Sequence, residues 1–226
     1  MSEEPTWAGI LRRVDALHVS LIAHTPVPEQ TIELAGRTAY KSFDKITPTS
    51  SGEFVKRMVR NGHDSVLEHG SATLRFQGIS RACSHQFVRH RVASFTQESQ
   101  RVVDQEGAEF VIPPSIRANL DARPIFYEYM AMVDKTYAKL KELGIPAEDA
   151  RFILPNATST EIAVSANFRE WRHILKLRGA PDAQWEIRQA IIDAYEILRD
   201  IAPAVFGDFV IASHPDNGLY LAQRKW

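Results

Sequence analysis

Hydrophobic residues recur along this chain at two different spacings, which together predict a mixture of strands and helices. Short apolar runs rich in β-branched residues predict strands over 17–22 and 71–76. A third strand is predicted over 110–112, where Pro113 and Pro114 follow and end it. Apolar positions over 160–167 predict a fourth strand, which leads into a helix over 169–177.

Helices are predicted where apolar residues recur every three or four positions. The clearest begins after Asp121, a candidate N-cap, and ends near Gly144; its apolar positions are Phe126, Met130, Val133, Tyr137 and Leu140. Other helices are predicted over 29–41, 80–90 and 182–201, the last ending before Pro203. Because no regular strand-helix-strand alternation is visible, the predicted fold is α+β, a single domain with a central mixed sheet flanked by helices.

Composition is typical of a globular protein. Hydrophobic residues make up 44% of the 226 residues and charged residues 24%. The 27 Lys and Arg nearly balance the 28 Asp and Glu, so the chain lacks the global positive field of a non-specific nucleic-acid coat. No apolar run approaches the roughly 20 residues that span a bilayer. We therefore expect neither a nucleic-acid nor a membrane partner.

Cysteine usage and the N-terminus indicate the compartment. Cys83 is the only cysteine, so an intrachain disulfide is impossible and a buried structural thiol is predicted. The first seven residues are acidic, whereas a secretory signal begins with positive charge. The predicted localisation is cytoplasmic.

The segment from Arg89 to Arg101 carries the strongest chemical pattern. It holds three arginines and a histidine, Arg89, His90, Arg91 and Arg101, interleaved with hydroxyl and amide side chains. Guanidinium groups bind phosphate bidentately, and hydroxyls and amides supply further hydrogen bonds to a polar heterocycle. A nucleotide pocket is one interpretation of this composition. A solvated basic turn is the other.

The order of the residues favours the pocket. Arg-His-Arg at 89–91 is followed by Ser94, Ser99 and Arg101, which resembles the motif of the flavin-dependent thymidylate synthases. Three further segments are similar to that family in the same order: 61–69, 150–155, and a last block that runs through 167–178 to 183–187. The matched blocks cover about residues 17–210, and we interpret the whole chain, 1–226, as one domain of that kind.

The resemblance implies an enzyme that converts dUMP to dTMP. In that reaction methylenetetrahydrofolate donates the carbon and NADPH reduces bound FAD. The reduced flavin then delivers the hydride, and no cysteine nucleophile is used. The resemblance also implies a homotetramer with sites at the subunit interfaces.

The resemblance assigns two residues to catalysis. Arg178 would favour ionisation of the uracil ring at N3, and His63 would contact flavin or folate near the reaction centre. Arg178 could instead be a helix C-terminal arginine that interacts with the helix dipole, and His63 a turn residue after Gly62.

The resemblance also implies two sets of ligand-binding residues. The dUMP set is Gln86, Phe87, Val88, Arg89, Gln97, Glu98, Ser99, Gln100, Arg101, Arg151 and Arg178. The FAD set is Ser65, Arg89, His90, Arg91, Gln97, Asn167, Phe168, Arg169 and His173. No Gly-x-Gly-x-x-Gly follows a predicted strand, so the flavin would be bound without a Rossmann fingerprint.

Other chemistries and functions compete with these assignments. Ser99 lacks a Gly-x-Ser-x-Gly elbow and is interpreted as a ligand contact, not a nucleophile. His63, Glu68 and His69 do not have the His-Glu-x-x-His spacing, so no metal is predicted. Two rival functions remain: a module that grips nucleic-acid phosphates, and a different flavoenzyme on the same scaffold.

Overall fold

The computed structural model describes residues 17–224, which contain both helices and strands as predicted. The helices are α1 (Pro28–Thr38), α2 (Ser50–Arg60), α3 (Arg81–Phe87), α4 (Pro114–Ala118), α5 (Ala122–Glu142), α6 (Ala147–Ala150), α7 (Phe168–Arg178), α8 (Trp185–Ile201) and α9 (Pro203–Phe206). The strands are β1 (His18–His24), β2 (Ser71–Ser80), β3 (Ser94–Gln97), β4 (Ser159–Asn167), β5 (Phe209–His214) and β6 (Gly218–Gln223). The α+β class is confirmed. The acidic N-terminal residues, on which the absence of a secretory signal was predicted, lie outside the described range.

Two sheets are formed within residues 17–224. The larger has the strand order β1-β2-β4-β3, and the smaller is the antiparallel hairpin of β5 and β6. Along β4 every second residue is buried, which is the period of two that a strand with one face on a core requires. No helix of this range is both long and apolar enough to cross a bilayer.

By its contacts the described chain divides into two compact units, each built from separate stretches of sequence. The first unit holds residue 17 and residues 77–85 and 97–162, and the second holds residues 18–76, 86–96 and 163–224. That the whole chain is a single domain remains a prediction.

In the first unit the predicted helix over 121–144 forms as α5. Met130, Val133 and Tyr137 are buried, as their spacing indicates. Asp121 makes no capping hydrogen bond. Instead Asn119 Oδ1 accepts from the backbone N–H groups of Asp121 and Ala122, at 3.0 Å each. The Asp121 cap prediction is therefore wrong, because a neighbouring amide lies in the better position.

The predicted strand over 110–112 is also wrong. Only Phe110 forms a bridge, antiparallel to Thr158, and Val111 donates its N–H to Ala157 at 2.9 Å. Pro113 and Pro114 have no N–H to donate, so the ladder cannot continue in that direction.

The core of the second unit is built mainly by α7 and α8. Trp171 of α7 is fully buried, and its indole N–H donates to the carbonyl of Ala72 in β2 at 3.0 Å. The predicted apolar face of the 182–201 helix is confirmed, since Ile187, Ile191, Ala194 and Leu198 are fully buried. That helix begins at Trp185, because the Gln184 side chain caps it by accepting from the N–H groups of Glu186 and Ile187.

Candidate functional site

In the second unit three sequence-predicted residues from two separate segments meet at Arg178. Its Nε donates to His90 Nε2 at 3.0 Å, and its Nη2 donates to the backbone carbonyl of Gln86 at 3.2 Å. Arg178 ends α7, while Gln86 and His90 lie at the end of α3 and just beyond it. A helix terminus thus brings a permanent cation to the Arg-His-Arg segment.

His90 is a neutral imidazole in this arrangement. It is 4% exposed, and burial is the main reason that the pKa of His90 falls from 6.5 to about 4. Arg178 and then His173 lower the pKa further because their positive charge disfavours a second cation.

The stability of the fold is expected to depend on pH through His90. The unfolded chain takes up a proton near pH 6.5, whereas the folded chain does so only near pH 4, so stability is lost as pH falls through that window. The free energy of unfolding of the wild type, relative to His90→Gln, should drop by about 3 kcal/mol between pH 7 and pH 4. Urea titrations of both proteins across that range measure this difference, and parallel curves would contradict it.

A polar cleft of about 680 Å³ opens on the second unit beside α7. Three residues of the predicted FAD set line it: Asn167, Arg169 and His173. Asn167 also caps α7, its side chain accepting from the N–H of Glu170 at 2.9 Å. Small-molecule sites commonly occupy about 300–1,000 Å³, so the cleft can hold a ligand of cofactor size.

Several lining residues of this cleft were not predicted from the sequence. They are Asp64, Glu68, Val92, Glu170, Arg172, Lys176, Phe209 and Gln223. Arg169, Arg172, His173 and Lys176 recur at spacings of three or four along α7, and that helical period was a signal in the sequence that could have found two of them. Arg169 Nη1 donates to Glu68 Oε1 at 2.6 Å, in an exposed ion pair.

The C-terminal hairpin of β5 and β6 is joined to this cleft through Asp208, the residue before β5, which forms a buried ion pair with Arg172. Arg172 binds both carboxylate oxygens of Asp208 at 2.6 Å and also donates to the carbonyl of Val205. Gln223 Nε2 donates to Asp208 Oδ2 at 2.8 Å. The Arg172 guanidinium lies 5.1 Å from the ring centroid of Phe209. Phe209 and Gln223 belong to β5 and β6, so the hairpin supplies part of the cleft wall.

His63 lies at the end of α2, a helix that the sequence analysis missed. Gly62 has φ +69°, and the N–H groups of Gly62 and His63 donate to Val59 and Met58 at 3.1 and 2.9 Å. This is a Schellman motif, which ends a helix at a glycine in the left-handed region. The turn interpretation of His63 thus describes its backbone, and its side chain is exposed.

In the first unit two predicted arginines converge on Glu148. Arg101 binds the Glu148 carboxylate through Nε at 3.1 Å and Nη2 at 3.0 Å, and Arg151 Nε donates to the Glu148 backbone carbonyl at 3.1 Å. Ser99 Oγ accepts from the N–H of Arg101 at 3.3 Å. A hollow of about 380 Å³ lies here, lined in part by Ser99, Arg101 and Glu148.

The side-chain amides of the first unit differ in whether their N–H groups have hydrogen-bond partners. Gln97 Nε2 donates to Ser84 Oγ at 2.8 Å and to Thr160 Oγ1 at 3.3 Å. Glu98 accepts from Gln105 Nε2 at 3.1 Å. The Nε2 atom of Gln100 is buried and has no partner within residues 17–224. An orphaned buried donor of this kind is costly unless a ligand or water satisfies it.

Arg81, in the same unit, was not predicted as a site residue. Burial and the positive charge of Arg151 lower the pKa of Arg81, while Glu98 opposes them. No pattern in the sequence marked Arg81, which begins α3 and precedes the Arg-His-Arg motif by eight positions.

The remaining predicted residues fall into two groups. Phe87 and Phe168 are fully buried, their rings packing on Phe76 and Phe206 at centroid distances of 4.6 and 5.2 Å. Their side chains therefore belong to the core of the second unit. The others are exposed side chains of that unit: Ser65, Val88, Arg89 and Arg91.

Metal-ligand groups come together at a different place from the one considered in the sequence. Over residues 17–224 the ligand atoms of His90, Glu170 and His173 lie within 4.8 Å of one another. The Arg178 guanidinium, 3.0 Å from His90 Nε2, donates to that nitrogen and would repel a metal cation. This geometry opposes a metal at the cluster.

These features define an α+β protein with a polar cleft in one unit and, in the other, a hollow lined in part by the Arg101–Glu148 ion pair. The family model for thymidylate synthase complementing proteins, Thy1, matches residues 20–204. The flavin-dependent thymidylate synthase of Geobacter sulfurreducens is 42% identical over 200 residues, which are 85% of this chain and 86% of that protein. The flavin-dependent thymidylate synthase of Pyrococcus furiosus is 39% identical over 196 residues, 82% of this chain and 79% of the relative.

A solved structure shares the fold. It is the UMP/dUMP methylase PolB of Streptomyces cacaoi bound with 5-Br dUMP, which is 21% identical with a TM-score of 0.77 over 87% of this chain and 96% of that one. The chain belongs to the Thy1 family and, with it, to the enzymes called flavin-dependent thymidylate synthases. The family predicted from the sequence is confirmed.

Proposed function

We propose that this protein converts dUMP to dTMP, with FAD as cofactor, methylenetetrahydrofolate as carbon donor and NADPH as reductant. The observation that carries the proposal is the contact of Arg178 with His90 and Gln86. These residues come from separate segments, which only the resemblance to a family had assigned to one site. Their meeting in the fold of a Thy1 protein supports a common site.

Arg178 supplies the charge that the uracil ring needs. Loss of a proton at N3 makes the ring an anion and raises the electron density at C5, the carbon that gains the new bond. A guanidinium stays protonated throughout, so it stabilises that anion without exchanging a proton itself. The Nε and Nη2 contacts keep its orientation before substrate binds.

The cleft beside α7 is proposed as the flavin site. Asn167, Arg169 and His173 offer an amide, a guanidinium and an imidazole to a diphosphate and to the polar edge of a flavin ring. Arg89, Arg91 and Ser65 of the predicted set are exposed and available to a ligand at the same unit. When bound, the flavin supplies the hydride chemistry. The side chains bind and orient it.

We place the substrate phosphate at the first unit's hollow. Ser99, Arg101 and Arg151 supply a hydroxyl and two cations, and the Glu148 carboxylate now occupies the Arg101 fork. A phosphate has the charge and the paired oxygens to take the place of that carboxylate. The unsatisfied Gln100 Nε2 is a further donor for a ligand at this segment.

Substitutions at this ion pair should change substrate affinity in opposite directions. Arg101→Ala should raise the KM for dUMP by about tenfold or more, because a charge-assisted hydrogen bond contributes about 1.5–3 kcal/mol. Glu148→Gln should lower the KM about twofold to threefold, because it removes a competitor that is half exposed and therefore weakly held. Steady-state kinetics measure both, with Arg117→Ala, an exposed arginine of α4, as the control.

The oligomer is proposed as a homotetramer with sites between subunits. Ile125, Tyr129 and Met132 form an exposed apolar stripe along α5, 69%, 46% and 55% exposed, which a second copy could cover. Light scattering should give a mass near four times the 25.5 kDa of one chain.

The cofactor and the rival functions can be tested on one preparation. Purified protein, or protein reconstituted with FAD, should show a flavin absorption spectrum, and the extracted cofactor should have the mass of FAD. A protein that cannot be loaded with flavin would contradict the proposal. Salt-dependent binding to DNA or RNA without flavin would favour the nucleic-acid rival. Bound flavin without turnover of dUMP would favour a different flavoenzyme.

A further inference from the structure

Glu170 is a buried carboxylate that the proposed function does not use. It lies in the first turn of α7, where its N–H donates to the Asn167 side chain at 2.9 Å. The residue is 8% exposed, and burial raises the pKa of its carboxyl while the charge of His173 opposes that rise. Its Oε1 atom lies 3.5 Å from His90 Nδ1. Burial of a carboxylate is unfavourable unless it is paired, so the position of Glu170 beside His90 requires an explanation.

The contact with Arg178 indicates which ring nitrogen of His90 carries the hydrogen. An arginine Nε can only donate, so His90 Nε2, at 3.0 Å, must accept through its lone pair. The low pKa keeps the ring neutral, which leaves it with a single N–H. That hydrogen must therefore be on Nδ1, the nitrogen that faces Glu170.

We infer that Glu170 is a positioning residue, which holds His90 in the Nδ1–H tautomer and so keeps Nε2 available to orient the Arg178 guanidinium. The three residues form a line: Glu170 in the first turn of α7, then His90, then Arg178 at the end of the same helix. A carboxylate accepts from an imidazole N–H and fixes the tautomer, as it does for histidines in catalytic and metal sites. The tautomer follows from the Arg178 contact and from the neutral ring of His90, whereas the effect on turnover rests on the proposed function.

His173 is a further titratable group close to His90. His173, also on α7, packs edge-on against His90 with ring centroids 5.7 Å apart. It adds to the repulsion that keeps His90 neutral. Without Glu170 the ring could move its hydrogen to Nε2, which would then face the Arg178 donor and break that hydrogen bond.

The tautomer can be read directly from the full-length protein. Solid-state ¹⁵N spectra of histidine-labelled protein, with the His90 signals assigned by their loss in His90→Gln, should show a protonated Nδ1 and an unprotonated Nε2. Glu170→Gln should keep this pattern, because an amide oxygen can still accept from Nδ1–H. Glu170→Ala should shift the hydrogen to Nε2 or give a mixture. A protonated Nε2 in the wild type would overturn the inference, whatever the protein does with dUMP.

The kinetic arm uses tritium release from dUMP labelled at C5. Glu170→Ala should lower kcat about tenfold or more, while Glu170→Gln stays within about threefold and the KM for dUMP changes less than about twofold in both. Glu186→Ala, which removes another buried first-turn glutamate, should leave the His90 signals unchanged. Equal loss of kcat in Glu170→Ala and Glu170→Gln would overturn the positioning role. A wild type with the expected tautomer but no tritium release would refute the proposed function and leave the orientation of Arg178 standing.

Discussion

Replacing Arg178 by alanine is expected to lower the release of tritium from C5-labelled dUMP by about 10²–10³-fold, the cost of removing one preorganised charge that stabilises an anionic transition state. Flavin content and the free energy of unfolding should change little, because Arg178 is only partly buried, is the last residue of α7 and does not line the proposed flavin cleft. Tritium release and the flavin spectrum of the same sample measure both quantities.

Two further variants separate activation from a helix-dipole effect. Arg178→Lys keeps the charge but cannot make both the Nε and Nη2 contacts, so it should recover only part of the lost rate. Arg199→Ala removes another last-turn arginine, that of α8, and should leave turnover unchanged. If Arg178 only stabilised its helix, both alanine variants would lose about 0.3–1 kcal/mol of stability and no more. Full activity in Arg178→Ala would remove the proposed activation role.

The largest effect on stability is expected at Asp208. Its side chain is 2% exposed and binds Arg172, which is 11% exposed. Asp208→Ala leaves that guanidinium buried without its counter-charge, which costs about 3–5 kcal/mol. The free energy of unfolding in urea measures the loss. Flavin affinity should fall with it, because Arg172, Phe209 and Gln223 line the cleft.

Replacing both residues of the ion pair tests whether the unpaired charge of Arg172 causes the loss of stability in Asp208→Ala. The double variant Arg172→Met, Asp208→Leu replaces the pair with apolar groups of similar size and should recover most of the lost stability. Glu142→Ala, which breaks the exposed Lys139–Glu142 pair, should change stability by less than about 1 kcal/mol. A loss at Asp208 as small as the loss at Glu142 would contradict the structural role assigned to the hairpin.

Long periodic segments of the fold were predictable from sequence. The apolar face of α8 and the buried positions of α5 follow from spacing, because a helix that buries one face needs apolar residues every three or four positions. The Asp121 cap and the strand over 110–112 were wrong. Both depended on local competition, from the Asn119 side chain and from two prolines, which periodicity does not report.

The residues of the candidate site were likewise predictable from the sequence only in part. The Arg-His-Arg motif identified His90 and, with its downstream blocks, Arg178, whose contact the structure then supplies. Glu170 and Asp208 carried no motif, and they stand out only because they are buried beside His90 and Arg172. Gln223 also carried no motif, and it is recognised only by its hydrogen bond to Asp208. The Phe87 and Phe168 side chains are buried in the core, which their place in the matched segments did not indicate, and their assignment to ligand binding stays a prediction.

Turnover of dUMP that depends on flavin is the property that defines the proposed reaction. The FAD-loaded protein is incubated with C5-tritiated dUMP, methylenetetrahydrofolate and NADPH, and both dTMP and released tritium are quantified against a sample without FAD. We expect dTMP and tritium in equal amounts, with neither formed when FAD is omitted. Absence of dTMP from a fully flavin-loaded protein, or dTMP formed equally well without flavin, would contradict it.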